Sequence, residues 1–183
     1  MPLNTGHVLD TARMTLADIT QADFAAVYAM DKDPLVLRHI GDGTGETRSF
    51  EDFCEHIHAR IESWMGPICR MWVMKLRGSD TFLGLVFLKP VKDTSYVEVG
   101  YRMPQTSWGH GYATEAARAA ISYGFDVGNL SEITAVTHPD NVASQHVLTK
   151  CGLKRDGTLN YNGRGEIPFF RLTRNDYEKL KWQ

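Results

Sequence analysis

Hydrophobic positions along this chain alternate between two rhythms, and the switches between them outline the fold. Residues 8–16 mix β-branched and polar side chains and predict a first strand. Residues 18–20 then lead into a helix. Thr20 and Asp23 have the spacing of a capping arrangement, and Phe24, Val27 and Tyr28 share an apolar face. Asp33-Pro34 opens a short helical piece, since proline's fixed φ suits the first helical position. Behind Ser49 as N-cap, Phe50, Phe53, Ile57, Ile61 and Trp64 recur at three and four and predict an amphipathic helix over 49–64. Gly66-Pro67 breaks the chain. Strands over 70–77, 81–89 and 95–103 follow, joined by Gly78-Ser79-Asp80 and a turn at 90–94, and form an antiparallel meander.

The third of these strands ends at Met103-Pro104. Trp108-Gly109-His110-Gly111-Tyr112-Ala113 follows, and then the Ala-rich run TEAARAAISYGF, a strong helix former. Residues 133–137, ITAVT, are a short β-branched strand. A strand, a helix of more than ten residues and another strand make a crossover, so 95–103 and 133–137 should run parallel. Pro139-Asp140-Asn141 starts a helix over 142–151. Gly152 stands where a helix ends in a left-handed residue, with Leu153 packing back. Residues 153–161 and 166–173 are two more strands, joined through Asn162-Gly163-Arg164-Gly165, and 175–180 form a final helical turn. With no repeat, low-complexity stretch or linker, residues 1–183 are expected to be one domain.

Composition narrows the class. Of 183 residues, 43% are apolar and 23% charged, as in a soluble globular protein. A net charge of −2 gives no reason to expect nucleic acid or an anionic membrane as a partner. The longest apolar run, 82–88, is too short to span a bilayer. Cys54, Cys69 and Cys151 have no paired spacing and read as reduced thiols, and no basic-then-apolar leader is seen at the N-terminus, so a cytoplasmic protein is expected. Cys54 and His58 share a helix face while His56 points elsewhere. Two ligands make no metal site, and none is expected. The loop GDGTG at 41–45 is not a nucleotide-binding pattern; it reads as a surface loop or one that closes over a substrate.

The stretch 108–113 carries the chemistry. Two glycines between a strand end and a helix start mark a place where backbone approaches something closely, because glycine reaches φ > 0 and has no Cβ. The first amides of the helix have no partner within it, and an anion, above all a phosphate, is the usual occupant of such a place.

The order of elements, with EVGYRM, WGHGYATEAARA and THPDNVASQHVLTKCGL, resembles the GNAT superfamily of N-acetyltransferases, in the branch of the ribosomal-protein N-terminal acetyltransferases. The resemblance covers nearly the whole chain and is strongest over 97–156. It implies an α/β (α+β) fold: a mixed, mostly antiparallel sheet with flanking helices and one parallel strand pair splayed at the cofactor site. It also implies acetyl-CoA as cosubstrate. The family's loop, Gln/Arg-x-x-Gly-x-Gly/Ala, maps onto Trp108, Gly111 and Ala113. Trp108 departs from Gln or Arg, and His110 stands where Lys or Arg is common. The resemblance makes Trp108, Gly109, His110, Gly111, Tyr112, Ala113 and Thr114 a cradle for the pyrophosphate. It makes the backbone of Tyr101, Arg102 and Met103 the edge against which the pantetheine arm lies like an added strand. Asn141 matches a side-chain contact to that arm and is equally a helix N-cap.

Acyl transfer from a thioester to an amine needs a proton removed from the amine, a stabilised oxyanion and a protonated leaving thiolate. The resemblance implies direct transfer to a primary amine in a ternary complex. Many relatives use a Tyr in the helix after the second parallel strand as acid, and this chain has Thr149 there. Ser144 matches the serine proposed near the sulfur in the ribosomal-type branch, and is also a plausible first-turn helix serine. Glu98 is the candidate base. It lies in an otherwise apolar strand, where burial raises a carboxyl pKa, although pairing with a neighbouring Lys or Arg or a chain of waters is also open. Alternation puts Glu98 on the face opposite Val97 and Val99. His39, His138 and His146 are reserves, and Cys151 closes a helix without a visible base. Loss of the tyrosine leaves a catalytically silent acyl-CoA-binding or sensing module as the alternative. The acceptor is a protein N-terminus or a small-molecule amine, and a homodimer is possible. Acidic residues at 31–48 (Asp31, Asp33, Asp42, Glu46) would suit a cationic acceptor or simply face solvent.

Overall fold

A computed structural model describes residues 8–40, 45–64, 66, 68–161 and 165–180. Residues 41–44 of the GDGTG loop, Pro67 and 162–164 of the last connection lie outside the described residues. The expected first strand is two strands. β1 (Val8–Asp10) and β2 (Met14–Asp18) pair antiparallel with Leu9 opposite Leu16. Thr11 makes the turn without glycine or proline. Its amide donates to the Met14 carbonyl at 2.9 Å, and its hydroxyl accepts from the Met14 amide at 2.9 Å.

After a 3-10 turn (Gln21–Asp23) come α1 (Phe24–Asp31), α2 (Pro34–Leu37) and α3 (Phe50–Trp64). The caps read from the sequence at Thr20–Asp23 and Ser49 are present, and Asp33 adds one before Pro34. The Asp23 carboxylate accepts from the Thr20 amide at 2.9 Å, Asp33 accepts from the Leu35 amide at 2.9 Å, and Ser49 Oγ accepts from the Asp52 amide at 3.1 Å. The meander follows as β3 (Arg70–Leu76), β4 (Phe82–Pro90) and β5 (Val97–Arg102). Then come α4 (Tyr112–Ser122), β6 (Glu132–Val136), α5 (Val142–Lys150), β7 (Lys154–Asn160), β8 (Glu166–Thr173) and α6 (Arg174–Tyr177). The expected left-handed residue after α5 is Gly152, at φ 83°.

These strands form one sheet in the order β1-β2-β3-β4-β5-β6-β8-β7. Every described neighbouring pair is antiparallel except β5 and β6, which run parallel as the crossover requires. Period-two alternation divides the sheet's side chains between two cores. Trp72, Val86, Leu88 and Val99 pack against Ala116, Ala117, Ala120 and Ile121 of α4 and Leu148 of α5. Met71, Val73 and Leu85 pack on the other face against Phe24, Val27 and Met30 of α1 and Phe53, Ile57 and Ile61 of α3. The Ala-rich helix ends in a π-helical turn, Tyr123–Val127, that the sequence reading did not foresee. α6 fastens that turn: Tyr177 stacks on Phe125 with centroids 4.4 Å apart, and Arg174 donates to the carbonyls of Phe125 and Leu130.

Gly84 in β4 sits at φ 137°, next to the register shift between Met74 and Lys75. A Cβ there would fall 2.2 Å from the Arg102 carbonyl oxygen, a backbone atom that cannot step aside. Backbone strain and overpacking should together cost Gly84→Ala about 2–4 kcal/mol. Urea unfolding of the variant should show a correspondingly lower midpoint, and an unchanged midpoint would contradict the close approach of β4 to β5.

Candidate active site

The parallel ladder between β5 and β6 has one registered pair, Glu98 opposite Thr134, reinforced by the Thr134 hydroxyl on the Val97 carbonyl at 3.2 Å. Beyond that pair the two strands part toward their C-terminal ends.

At the loop, a 3-10 turn (Gln105–Ser107) brings Trp108 back so that its indole N–H donates to the Met103 carbonyl at 2.8 Å. The Trp108 side chain thereby ties strand end to loop, while the residue remains 43% exposed. Gly109 and Gly111 have φ of 78° and 80°, the left-handed region that glycine favours. Gly111 is the N-cap residue of α4. A Cβ at Gly109 would meet nothing within 4 Å, and one at Gly111 would meet only Arg13 Nη2 at 3.5 Å. Neither glycine is demanded by protein packing. The open space lies where the free amides at the α4 start converge, which is what a pyrophosphate needs, so the residues fit coenzyme A.

Arg13, in the β1–β2 turn, was not among the sequence candidates. Its Nε donates to Glu115 at 2.7 Å, its Nη1 donates to the His110 carbonyl at 2.8 Å, and its guanidinium lies over the Tyr112 ring at 4.7 Å. It sets a cation beside a loop whose own His110 supplies none of the family's usual fixed charge. Glu115 answers it in the first turn of α4, where an anion also suits the helix dipole. Burial works against ionisation of Glu115, but hydrogen bonds from Thr11 and Arg13 prevail and hold its pKa below the ordinary value.

On the α4–α5 face, the Tyr101 hydroxyl meets Ser144 Oγ at 3.1 Å and donates to the Ser144 carbonyl at 3.2 Å. Burial pushes the phenol well above its usual pKa, so it stays protonated. Asn141 caps α5 by accepting from the Ser144 amide at 3.1 Å. Thr149 spends its hydroxyl on the Gln145 carbonyl one turn back, at 2.9 Å. Cys151 is fully buried, its Sγ facing the Thr114 carbonyl at 3.6 Å, and burial lifts its pKa to about 12. Such a thiol is no nucleophile.

On the opposite face Glu98 is 5% exposed and, as the alternation predicted, points away from Val99. It is not a lone carboxylate in an apolar strand. Lys89 Nζ lies 2.8 Å from Glu98 Oε1 and donates to the Tyr161 hydroxyl at 2.6 Å, while that hydroxyl donates to Glu98 Oε1 at 2.7 Å. Glu98 Oε2 is buried with no partner among the described residues. Two residues further on from Gly100, Arg102 Nη1 pairs with Asp31 at the end of α1, at 3.0 Å. The Glu46 carboxylate accepts from the amide and Nε of Arg48, each at 2.9 Å. Asp33 caps α2 and accepts from Gln105. Asp31 and Glu46 are therefore neither solvated nor open to a cationic acceptor; arginines already answer them. Asp42 lies outside the described residues. His39 and His138 stack with centroids 5.1 Å apart, and burial, then Arg38 and His138, lower the His39 pKa. His146 stays apart on α5. Among the described residues, no group of three His, Cys, Asp or Glu could hold a metal ion, and no helix is long and apolar enough to cross a membrane.

Of the sequence candidates, the structure gathers Trp108 to Thr114 at the α4 start, Tyr101 with Ser144 and Asn141 on one face, and Glu98 on the other. Arg13 and Tyr161 escaped notice because each reaches its partner from a segment distant in sequence, while Lys89 is the neighbouring cation that the reading of Glu98 left open.

Residues 13–154 match the family description "Acetyltransferase (GNAT) domain". The chain is 31% identical over 150 residues to an uncharacterized N-acetyltransferase, YnaD, of Bacillus subtilis, with 81% of this chain and 84% of that one covered. Its fold is similar to that of spermidine N-acetyltransferase from Vibrio cholerae in complex with CoA and spermine. There the TM-score is 0.74 at 19% identity, with 90% of this chain and 98% of that one covered. It is also similar to RimL, the ribosomal L7/L12 alpha-N-protein acetyltransferase in complex with coenzyme A, with a TM-score of 0.75 at 14% identity over 91% of this chain and 98% of that one. Family match, curated relatives and fold agree: the chain belongs to the GNAT family of acetyltransferases and is an acetyl-CoA-dependent acyltransferase.

Proposed function

We propose that the protein transfers an acetyl group from acetyl-CoA to a primary amine by direct attack in the cleft between β5 and β6. The observation that carries this reading is Glu98. It is a buried carboxylate on the acceptor face with one oxygen held by Lys89 and Tyr161 and the other, Oε2, without a partner. Acetyl-CoA supplies a thioester whose acyl carbon accepts the amine and whose thiolate leaves. The backbone of Gly109 to Thr114 and the Tyr101–Met103 strand edge hold that cosubstrate, and Arg13 adds charge at the loop. Trp108 serves by fastening the loop to Met103, and Asn141 by capping α5 so that Ser144 faces the gap. Glu98 Oε2 takes a proton from the incoming ammonium. Lys89 and Tyr161 keep the carboxylate oriented to receive it. On the other face the Tyr101 hydroxyl lies 3.1 Å from Ser144 Oγ and positions that hydroxyl, whose proton meets the departing sulfur.

The test is thiol release from acetyl-CoA across a panel of amines. Turnover with at least one amine is expected, and tight acetyl-CoA binding with no turnover on any would sink the reading. Glu98→Gln should lower kcat by about 100-fold or more at neutral pH, as for loss of a general base. An unaffected kcat would pass the proton to water. Ser144→Ala should lower kcat by about 3- to 10-fold, the worth of one hydrogen bond, with CoA affinity unchanged. Equal turnover would remove Ser144 from the chemistry. Gly111→Val should abolish CoA binding in calorimetry by filling the cradle, and an unaltered affinity would show the loop to be a bare helix entry.

A further inference from the structure

The short helix α2 crosses between the two strands that part at the site. Its start is tied to the β5 side. The Asp33 carboxylate that caps it accepts at 2.6 Å from Nε2 of Gln105, just past the end of β5 at Arg102. Asp31, just before it, pairs with Arg102 itself. The other end reaches the β6 side. The His39 ring stacks on His138, just past the end of β6 at Val136, with centroids 5.1 Å and planes 27° apart. β5 and β6 are parallel, so both contacts lie at their C-terminal ends, beyond the Glu98–Thr134 pair. Residues 33–39 therefore bridge the mouth of the cleft. Val36 packs in the α1–α3 core, which puts the bridge on Glu98's side of the sheet.

The two moorings differ in kind. On the β5 side stand a buried ion pair and a carboxylate hydrogen bond, with Val36 and Leu37 rooted in the core beside them. On the β6 side stands a ring stack in which the His138 side chain is 43% exposed, and Ile40 next to it is exposed as well. The hydrogen bonds of that stack need neutral rings. Arg38 Nε has only a proton to give, so His39 Nε2 accepts it at 3.0 Å. The Asp140 amide donates in the same way to His138 Nδ1 at 3.2 Å. Protonation of either ring removes a lone pair in use and sets a cation against its neighbour. The charged groups facing the pair are Arg38 from the end of α2 and Asp140 from the turn into α5, whose Oδ2 lies 3.7 Å from His138 Nδ1. Acid would therefore leave one carboxylate against a guanidinium and two imidazoliums.

We infer that residues 33–40 are a strap across the acceptor entrance, hinged at Asp33 and Val36 and latched by neutral His39 on neutral His138, and that acid releases the latch. What the strap admits rests on the acetyl-transfer reading. Closed, it is fastened to the start of α5, because the His138 carbonyl accepts from the amide of Asn141, the cap that holds Ser144. The direction of the pH effect follows from His39. Burial, then Arg38 and His138, lower its pKa, and Asp140 opposes them. The latch is thus complete above the ordinary histidine value of about 6.5 and is lost as pH falls through the lower value of His39.

The test begins with imidazole NMR on the intact labelled protein, its seven histidines assigned by single His→Gln substitutions. At about pH 7.5, His39 should be the Nδ1–H tautomer and His138 the Nε2–H tautomer, with cross-relaxation between their ring protons. At about pH 5 both should be charged and that cross-relaxation lost. His138→Gln should move the His39 midpoint upward. Rings still in contact when both are charged, or a His39 midpoint that ignores His138, would overturn the latch, whether or not any amine turns over. Entry is read from KM for an amine that does turn over. The amine's own titration cancels when wild type is divided by the double variant His39→Phe, His138→Phe, whose stack cannot charge. That KM ratio should rise about 3- to 10-fold from about pH 7.5 to about pH 5, the worth of one lost contact, with CoA affinity unchanged in calorimetry. A flat ratio would overturn the strap as a gate while leaving acetyl transfer intact. If no amine turns over, acetyl transfer fails and the NMR result still decides whether acid opens the strap.

Discussion

A single registered pair, Glu98 opposite Thr134, is the ladder between β5 and β6 among the described residues, and the arrangement of the site follows from that shortage. Where two parallel strands stop pairing, their amides and carbonyls still need partners. A cosubstrate with an amide-rich arm can supply them. The same divergence lets one strand serve two compartments. Tyr101 and Arg102 are consecutive, and pleating sends their side chains to opposite sides. One meets Ser144 under α5; the other meets Asp31 at the end of α1. The α5 side and the α1 side are thus separated by the thickness of a single strand.

Most of the fold was legible because its signals are local. The Thr20–Asp23 and Ser49 caps, the heptad-like face of α3 and the left-handed Gly152 each depend on residues within a turn or two. What failed depends on longer range or on unusual local chemistry. Residues 8–16 read as one strand because Thr11 closes a tight turn through its own hydroxyl, where turn residues such as Gly or Asn would have announced it. The π-helical turn after α4 is held by Tyr177 and Arg174, some fifty residues further along the chain, and no pattern within YGFDV reveals it.

The site divides in the same way. The glycine loop could be read because left-handed glycines, a helix start and a preceding strand are contiguous. Glu98 could be placed by alternation, but its surroundings could not. Pairing with a neighbouring Lys or Arg is one of the open readings, and Lys89 supplies it from the next strand; Tyr161, arriving from beyond β7, completes a three-membered hydrogen-bonded group that local sequence does not reveal. The acidic residues of 31–48 misled for the complementary reason. Their partners, Arg102 above all, sit in another part of the chain, and charge counted along a sequence says little about charge balanced in space.

The strand order carries a consequence for how the chain is made. β6 has five registered pairs with β8 and one with β5, and β8 follows it in the chain by some thirty residues. Until residues 166–173 emerge, the nascent β6 exposes an open hydrogen-bonding edge beside a nearly complete antiparallel half. Such an edge is a template for wrong partners, in this chain or a neighbouring one. The wall of the cleft on the β6 side is therefore completed only when residues 166–173 are made, and a delay before them would leave that edge exposed.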